Sequence, residues 1–187
     1  MAAGLTRRAI TVGSLTLAAL AMLTAACGIG ASGTTTTSLP VESVGPSIGT
    51  TAAVAEARAA IVTALAGKSL QLGDPQVPFR PPESLAFAAA PRAVYQVLLP
   101  ADPNHGFISV YEFPDASSAA TAGQEQAAYV GSGPGRVLFP LDTRFVIRQL
   151  GTTIVFYAWS PGSSGDPRAA DIQPALETLG SGIAVPR

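Results

Sequence analysis

Cysteine, histidine, tryptophan and lysine each occur once in this chain, at Cys27, His105, Trp159 and Lys68. A single cysteine excludes an internal disulfide and any multi-thiolate metal site, so the fold must stand on its apolar core. A single histidine leaves one side chain that titrates near neutrality without help. Charged residues make up 12% of the sequence, about half the usual share for a globular domain, and the formal net charge is −1. Such a chain has no basic surplus to neutralise a phosphate backbone, and nucleic acid is not expected as a partner. No cofactor is expected either, and catalysis has no strong candidate.

Against these absences, the first 27 residues carry a dense signal. A basic start (Arg7, Arg8) leads into an uncharged run, Ala9 to Ala26, that ends on the small residues Ala25 and Ala26 directly before Cys27. A positive n-region, an apolar h-region and small residues before the cut are the parts of a secretory signal peptide. The run Leu23-Thr24-Ala25-Ala26-Cys27 resembles the lipobox of bacterial lipoproteins, with Thr24 where the commonest pattern has leucine. The resemblance covers only the leader. It implies cleavage before Cys27, diacylglycerol on its thiol and fatty acylation, of the palmitate kind, on the new amino terminus. Each buried acyl CH₂ contributes ~0.8 kcal/mol, so two or three chains hold a protein stably.

The expected location is therefore the outer face of the cell membrane, with the lipid anchor as the membrane contact and an envelope protein or wall component as a further partner. Two alternatives compete with it. An uncleaved anchor is favoured by the length of the uncharged run but opposed by Thr11, Gly13, Ser14 and Thr16 within it; free secretion would follow if the lipobox went unread. The richness in alanine, glycine and proline, and the dominance of arginine over lysine, also resemble the small alanine-rich lipoproteins of actinobacteria, many of them without assigned function.

From Gly28 to Gly49 the sequence is largely Gly, Ser, Thr and Pro, a composition that buries too little to offset ordering entropy. This stretch reads as a tether, spanning about 25 Å root-mean-square as a flexible coil. The division is thus 1–26 signal peptide, 27–49 lipidated cysteine and tether, and 50–187 a single α+β domain.

Within that domain, Val54, Ala57, Ile61 and Leu65 recur at helical spacing, with Thr50 or Thr51 to cap the start and Gly67 placed for the C′ position. Pro75, Pro78, Pro81 and Pro82 interrupt any regular element from Ser69 to Pro91, which reads as a rigid surface crossing. Residues 93–99 and 107–113 alternate as strands around a turn-forming stretch, 100–106. Asp115 is placed to cap a helix through Val130, whose small residues Ala116, Ala119, Ala120, Gly123 and Ala127 suggest close approach to a sheet. Residues 144–150 and 153–159 form a second hairpin, and a last helix starting near Asp171 avoids placing Pro174 deep inside it. The order is an N-terminal helix followed by ββαββα. It predicts an antiparallel or mixed four-stranded sheet with helices packed on one face.

Candidate chemistry is weighed against blander readings. Asp102 and His105 offer a general base or half a metal site, yet Asp-Pro-Asn-His-Gly is also what a turn requires. The glycines of Gly131–Arg136 suggest an anion loop, but Pro134 removes an amide and the stretch follows a helix where a phosphate loop would open one. Arg144 and Arg148, on one strand face, and Trp159 are weak binding candidates. If one face of the sheet lacks a helix, the aromatic residues there form a contact patch. Three readings follow: a non-catalytic, lipid-anchored binding or interaction module; a carrier of a lipid or other apolar ligand, which needs a cavity of about 300 Å³ or more; and, least favoured, a hydrolase-type enzyme using Asp102 and His105.

Overall fold

β-Branched and aromatic residues crowd the run Thr153–Trp159, and that run forms the middle of the sheet. The computed structural model describes residues 51–131 and 133–186, all within one unit, Glu42–Arg187. The signal run, Cys27 and the tether lie outside the described residues. Among the described residues there are six strands: β1 (Leu72–Gly73), β2 (Arg92–Val97), β3 (Phe107–Glu112), β4 (Arg144–Leu150), β5 (Thr153–Trp159) and β6 (Ser181–Gly182). They run β1-β2-β3-β5-β4-β6 across the sheet, each antiparallel to its neighbours. The helices are α1 (Ala52–Ala66), α2 (Leu85–Ala89), α3 (Ala116–Gly131) and α4 (Ala169–Leu176), with a 3₁₀ turn at Pro134–Leu138. The domain is α+β.

Two expectations need correction. The sheet has six strands where four were expected, because the two-residue strands β1 and β6 add to its edges, too short to leave any periodicity in the sequence. Helices also cover both faces, not one. In β5, Val155 and Tyr157 join α1 and α4 in one core, while Ile154 and Phe156 join α2 and α3 in the other. Successive strand residues point to opposite faces, so an unbroken apolar run is the mark of a strand buried on both sides. The uncovered aromatic face therefore does not exist as such.

Local chemistry sets the ends of the helices. The Thr51 hydroxyl accepts the Val54 amide at 3.2 Å and caps α1. At the other end Gly67 stays right-handed, and the left-handed residue is Ser69, at φ 57°. The Leu70 amide bonds back to the Leu65 carbonyl at 3.0 Å, and both side chains are buried in the same core, so the stop falls two residues beyond Gly67. Helix α4 begins at Ala169, ahead of Asp171, and keeps Pro174 inside. It is wound in by i to i+3 bonds from Asp166, Pro167 and Arg168, so Pro174 forfeits one bond in a helix that opens and closes in 3₁₀ fashion. At Gly180, φ is 29° and a Cβ would sit 2.0 Å from the Gln149 carbonyl oxygen, a gap only glycine fills.

Helix α3 carries the chain from β3 to β4 and packs against β4 and β5. Its small residues let it lie close to its neighbours: a Cβ on Gly123 would fall 2.3 Å from Ile183 Cδ1 and 3.2 Å from Ile154 Cδ1. The proline-rich crossing before α2 is fixed at both ends. Phe79 stacks on Phe107 with ring centroids 4.3 Å apart, and the Gln126 side chain of α3 accepts the Ser84 amide at 2.7 Å and donates to the Pro82 carbonyl at 3.1 Å. This crossing leaves one end of the α2/α3 face of the sheet unfilled.

Candidate functional site

That unfilled end is a cavity of about 320 Å³. Its floor is the sheet itself. Phe107 and Ser109 of β3 and Phe156 and Ala158 of β5 line it, with Ser109 directly opposite Phe156 in the register. Phe79 to Pro82 form one wall and Phe139, Pro140 and Thr143 the other; Asn104, His105, Ser160 and Ser163 stand at the rim. Half of the lining residues are phenylalanine, tyrosine, tryptophan or proline, as in pockets that take small molecules.

Among the described residues, Ser109 Oγ, Thr143 Oγ1, Tyr157 Oη and Trp159 Nε1 are buried polar atoms without a partner, and all four residues line the cavity. A buried hydroxyl without a hydrogen bond costs about 1–3 kcal/mol. Strand alternation turns Tyr157 and Trp159 toward the α1/α4 face, so Ser109, which is 1% exposed, is the unpartnered hydroxyl of the floor.

Three aspartates hold the rim. Asp102 receives the His105 Nδ1 contact at 2.5 Å, the Ser164 hydroxyl at 2.5 Å and the Gly165 amide at 3.2 Å, tying the 100–106 turn to the 160–166 loop. Asp142 accepts the Ser160 hydroxyl at 2.5 Å and the Gly162 amide at 2.9 Å from the other side of that loop. Asp166 accepts from Arg168 and from the Ala101 amide. Burial pushes the Asp102 carboxyl up, but the hydrogen bonds from Ser164, His105 and Gly165 outweigh it and hold the group below its ordinary range. The Ser160 hydroxyl and Gly162 amide do the same for Asp142, and the Arg168 side chain and amide for Asp166.

These shifts carry a pH sign. Aspartate in the unfolded chain titrates near ~4. A group whose folded value is depressed contributes stability above that unfolded value, and the contribution is lost as pH falls through the folded one. The rim is expected to stay intact from pH 7 to about 5 and to loosen only below about pH 4. Acrylamide quenching of Trp159, the sole tryptophan, reads this directly; a rise in quenching already between pH 7 and 5 would contradict it.

The residues singled out from sequence fare differently. Asp102 and His105 do meet, and His105 lines the cavity, but the nearby Ser164 hydroxyl goes to the same carboxylate and not to the imidazole. Among the described residues no serine is hydrogen-bonded to His105, and no three His, Cys, Asp or Glu side chains gather as a metal site requires. The pair works as a clamp between two loops. A G-x-S-x-G spacing does occur, at Gly45–Gly49, within the tether and outside the described residues.

Arg148 is already engaged: its guanidinium donates to the Leu179 and Gly180 carbonyls and pins the turn between α4 and β6. Arg144 is exposed, with its guanidinium 5.7 Å from the Trp159 ring centroid. It faces a separate groove shared with Arg136 and Glu177.

Sequence reasoning missed Phe79, Arg80, Ser109 and Phe139. The one available signal was Ser109 itself, a lone hydroxyl between Phe107 and Tyr111 on a strand face that is otherwise aromatic.

A search for relatives finds no family model, no curated protein and no solved structure that matches the chain, so the functional reading rests on the geometry of the cavity.

Proposed function

We propose that the protein is a lipid-anchored envelope binding module, held by Cys27 at the outer face of the cell membrane, and that its domain binds a small apolar or aromatic ligand in the cavity at the end of the sheet. One observation carries the ligand reading: a cavity of about 320 Å³, lined by Phe79, Phe107, Phe139 and Phe156, with the buried Ser109 on its floor. The volume reaches the size at which small-molecule sites begin. The reading joins the carrier and the binding module in one, since neither requires chemistry on the ligand. The anchor reading stands on the leader alone.

The test is a titration of the purified full chain with N-phenyl-1-naphthylamine, an uncharged aromatic probe, followed through the emission of Trp159 at the cavity edge. Saturable one-to-one binding with Kd on the order of 10 μM is expected, equivalent to about 7 kcal/mol. Ser109→Phe, which places a ring on the cavity floor, is expected to weaken it at least tenfold. Binding that survives Ser109→Phe unchanged places the probe elsewhere and overturns the cavity as the site.

A further inference from the structure

The wall of the cavity carries an unbalanced charge. Glu83, whose side chain is 3% exposed, accepts from three donors: Arg80 Nε at 2.7 Å, the Tyr111 hydroxyl at 2.7 Å, and Arg92 Nη1. Two guanidinium groups thus share one carboxylate. Arg92 is 14% exposed and sits deep in the cluster, whereas the Arg80 side chain is 47% exposed and lines the cavity. The tie to Glu83 uses only Arg80 Nε; among the described residues its two Nη groups have no partner. Burial and the Glu83 charge both push the Tyr111 hydroxyl up, so it remains a neutral donor and adds no negative charge.

No described aspartate or glutamate lines the cavity. The carboxylates behind the rim, Asp102 and Asp142, are already engaged by Ser164, Gly165 and His105 and by Ser160 and Gly162. The lining therefore offers aromatic surface, neutral hydroxyls and the Arg80 guanidinium, and among the described residues it holds no carboxylate to repel an anion.

We infer that the cavity takes a small aromatic or apolar acid, with its ring among the phenylalanines and its carboxylate, or an equivalent oxyanion, on Arg80. This rests on the cavity being the binding site. A planar guanidinium matches an oxyanion with two parallel hydrogen bonds, and an anion there completes the charge of the Arg80–Glu83–Arg92 cluster. Ser109 supplies the neutral donor on the floor. A free aryl acid and the acidic head of an amphiphile present the same chemistry to these groups.

Two probes with one ring frame separate the ligand class from the site. The purified full chain is titrated with 1-anilinonaphthalene-8-sulfonate and with uncharged N-phenyl-1-naphthylamine, both read through Trp159. The sulfonate is expected to bind about tenfold more tightly, the scale of one charge-assisted contact. Arg80→Gln is expected to abolish that preference, while Arg80→Lys retains part of it. Glu83 keeps Arg92 as its counter-ion and Tyr111 as a neutral donor in both variants, so the buried carboxylate stays paired. Equal affinity for the two probes, or a preference that survives Arg80→Gln, overturns the anionic ligand and leaves the cavity standing. Failure of both probes to bind removes the cavity as a site and this inference with it.

Discussion

Phe87→Ala is expected to lower the free energy of unfolding by about 4 kcal/mol, the upper range for removing a buried ring. Phe87 is fully buried, and its ring centroid lies 4.2 Å from that of Tyr111, 6.0 Å from Phe113 and 6.2 Å from Phe156. Helix α2, at five residues, has too few turns to hold itself together. It stays in place because Phe87 is seated in the sheet and Ser84 caps its start. Removing the ring therefore empties a core site and frees α2, the helix that follows the cavity wall. Urea unfolding should show the full loss, with a fall in Tm of roughly 15 °C. A loss below about 1.5 kcal/mol would mean that α2 contributes little to the domain.

The second large effect is expected at Glu83. Glu83→Ala leaves Arg92, largely buried, facing Arg80 and Tyr111 with no carboxylate between them. Removing one partner of a buried pair costs about 3–5 kcal/mol, most of it the burden of the charge left behind. The origin of the loss separates in a double variant. Glu83→Ala with Arg92→Met is expected to recover half or more of it, because the stranded charge is gone. If the double variant is as unstable as the single one, the loss comes from packing of the proline-rich crossing and not from charge.

How much was legible in the sequence follows the length of each element. The hairpin strands at 144–150 and 153–159 were readable because each contains a run of β-branched and aromatic residues ended by turn formers. The cap at Asp115 was readable because its chemistry is local: its carboxylate accepts the Ser118 amide three residues on. Elements that exist only through tertiary partners were not. Helix α2 depends on Phe87 finding Tyr111, and β1 and β6 on edges offered by β2 and β4. The second helical layer was hidden in the same way. The apolar runs of β3 and β5 announce burial on both faces, but which helix lies on which face is decided by chain crossings.

The site was less legible than the fold. Asp102 and His105 attracted attention as titratable neighbours and turn out to clamp a loop. The cavity is assembled from segments around residues 79, 109, 139 and 156, distant in sequence and individually unremarkable. Arg148 shows the converse: an arginine alternating with apolar residues looks free until the turn after α4 arrives over it.

The sheet order has a consequence for how the chain acquires its shape. β5 pairs with both β3 and β4, so it joins the two halves of the sheet, yet it follows both of them in sequence. Before residues 153–159 are available, β2 and β3 are a hairpin with only the two-residue β1 beside it, and β4 has no long partner. The decisive pairing thus falls to the last fifth of the chain. Until that central strand exists the earlier segments have no complete sheet to join, and only its late arrival commits the polypeptide to a single form.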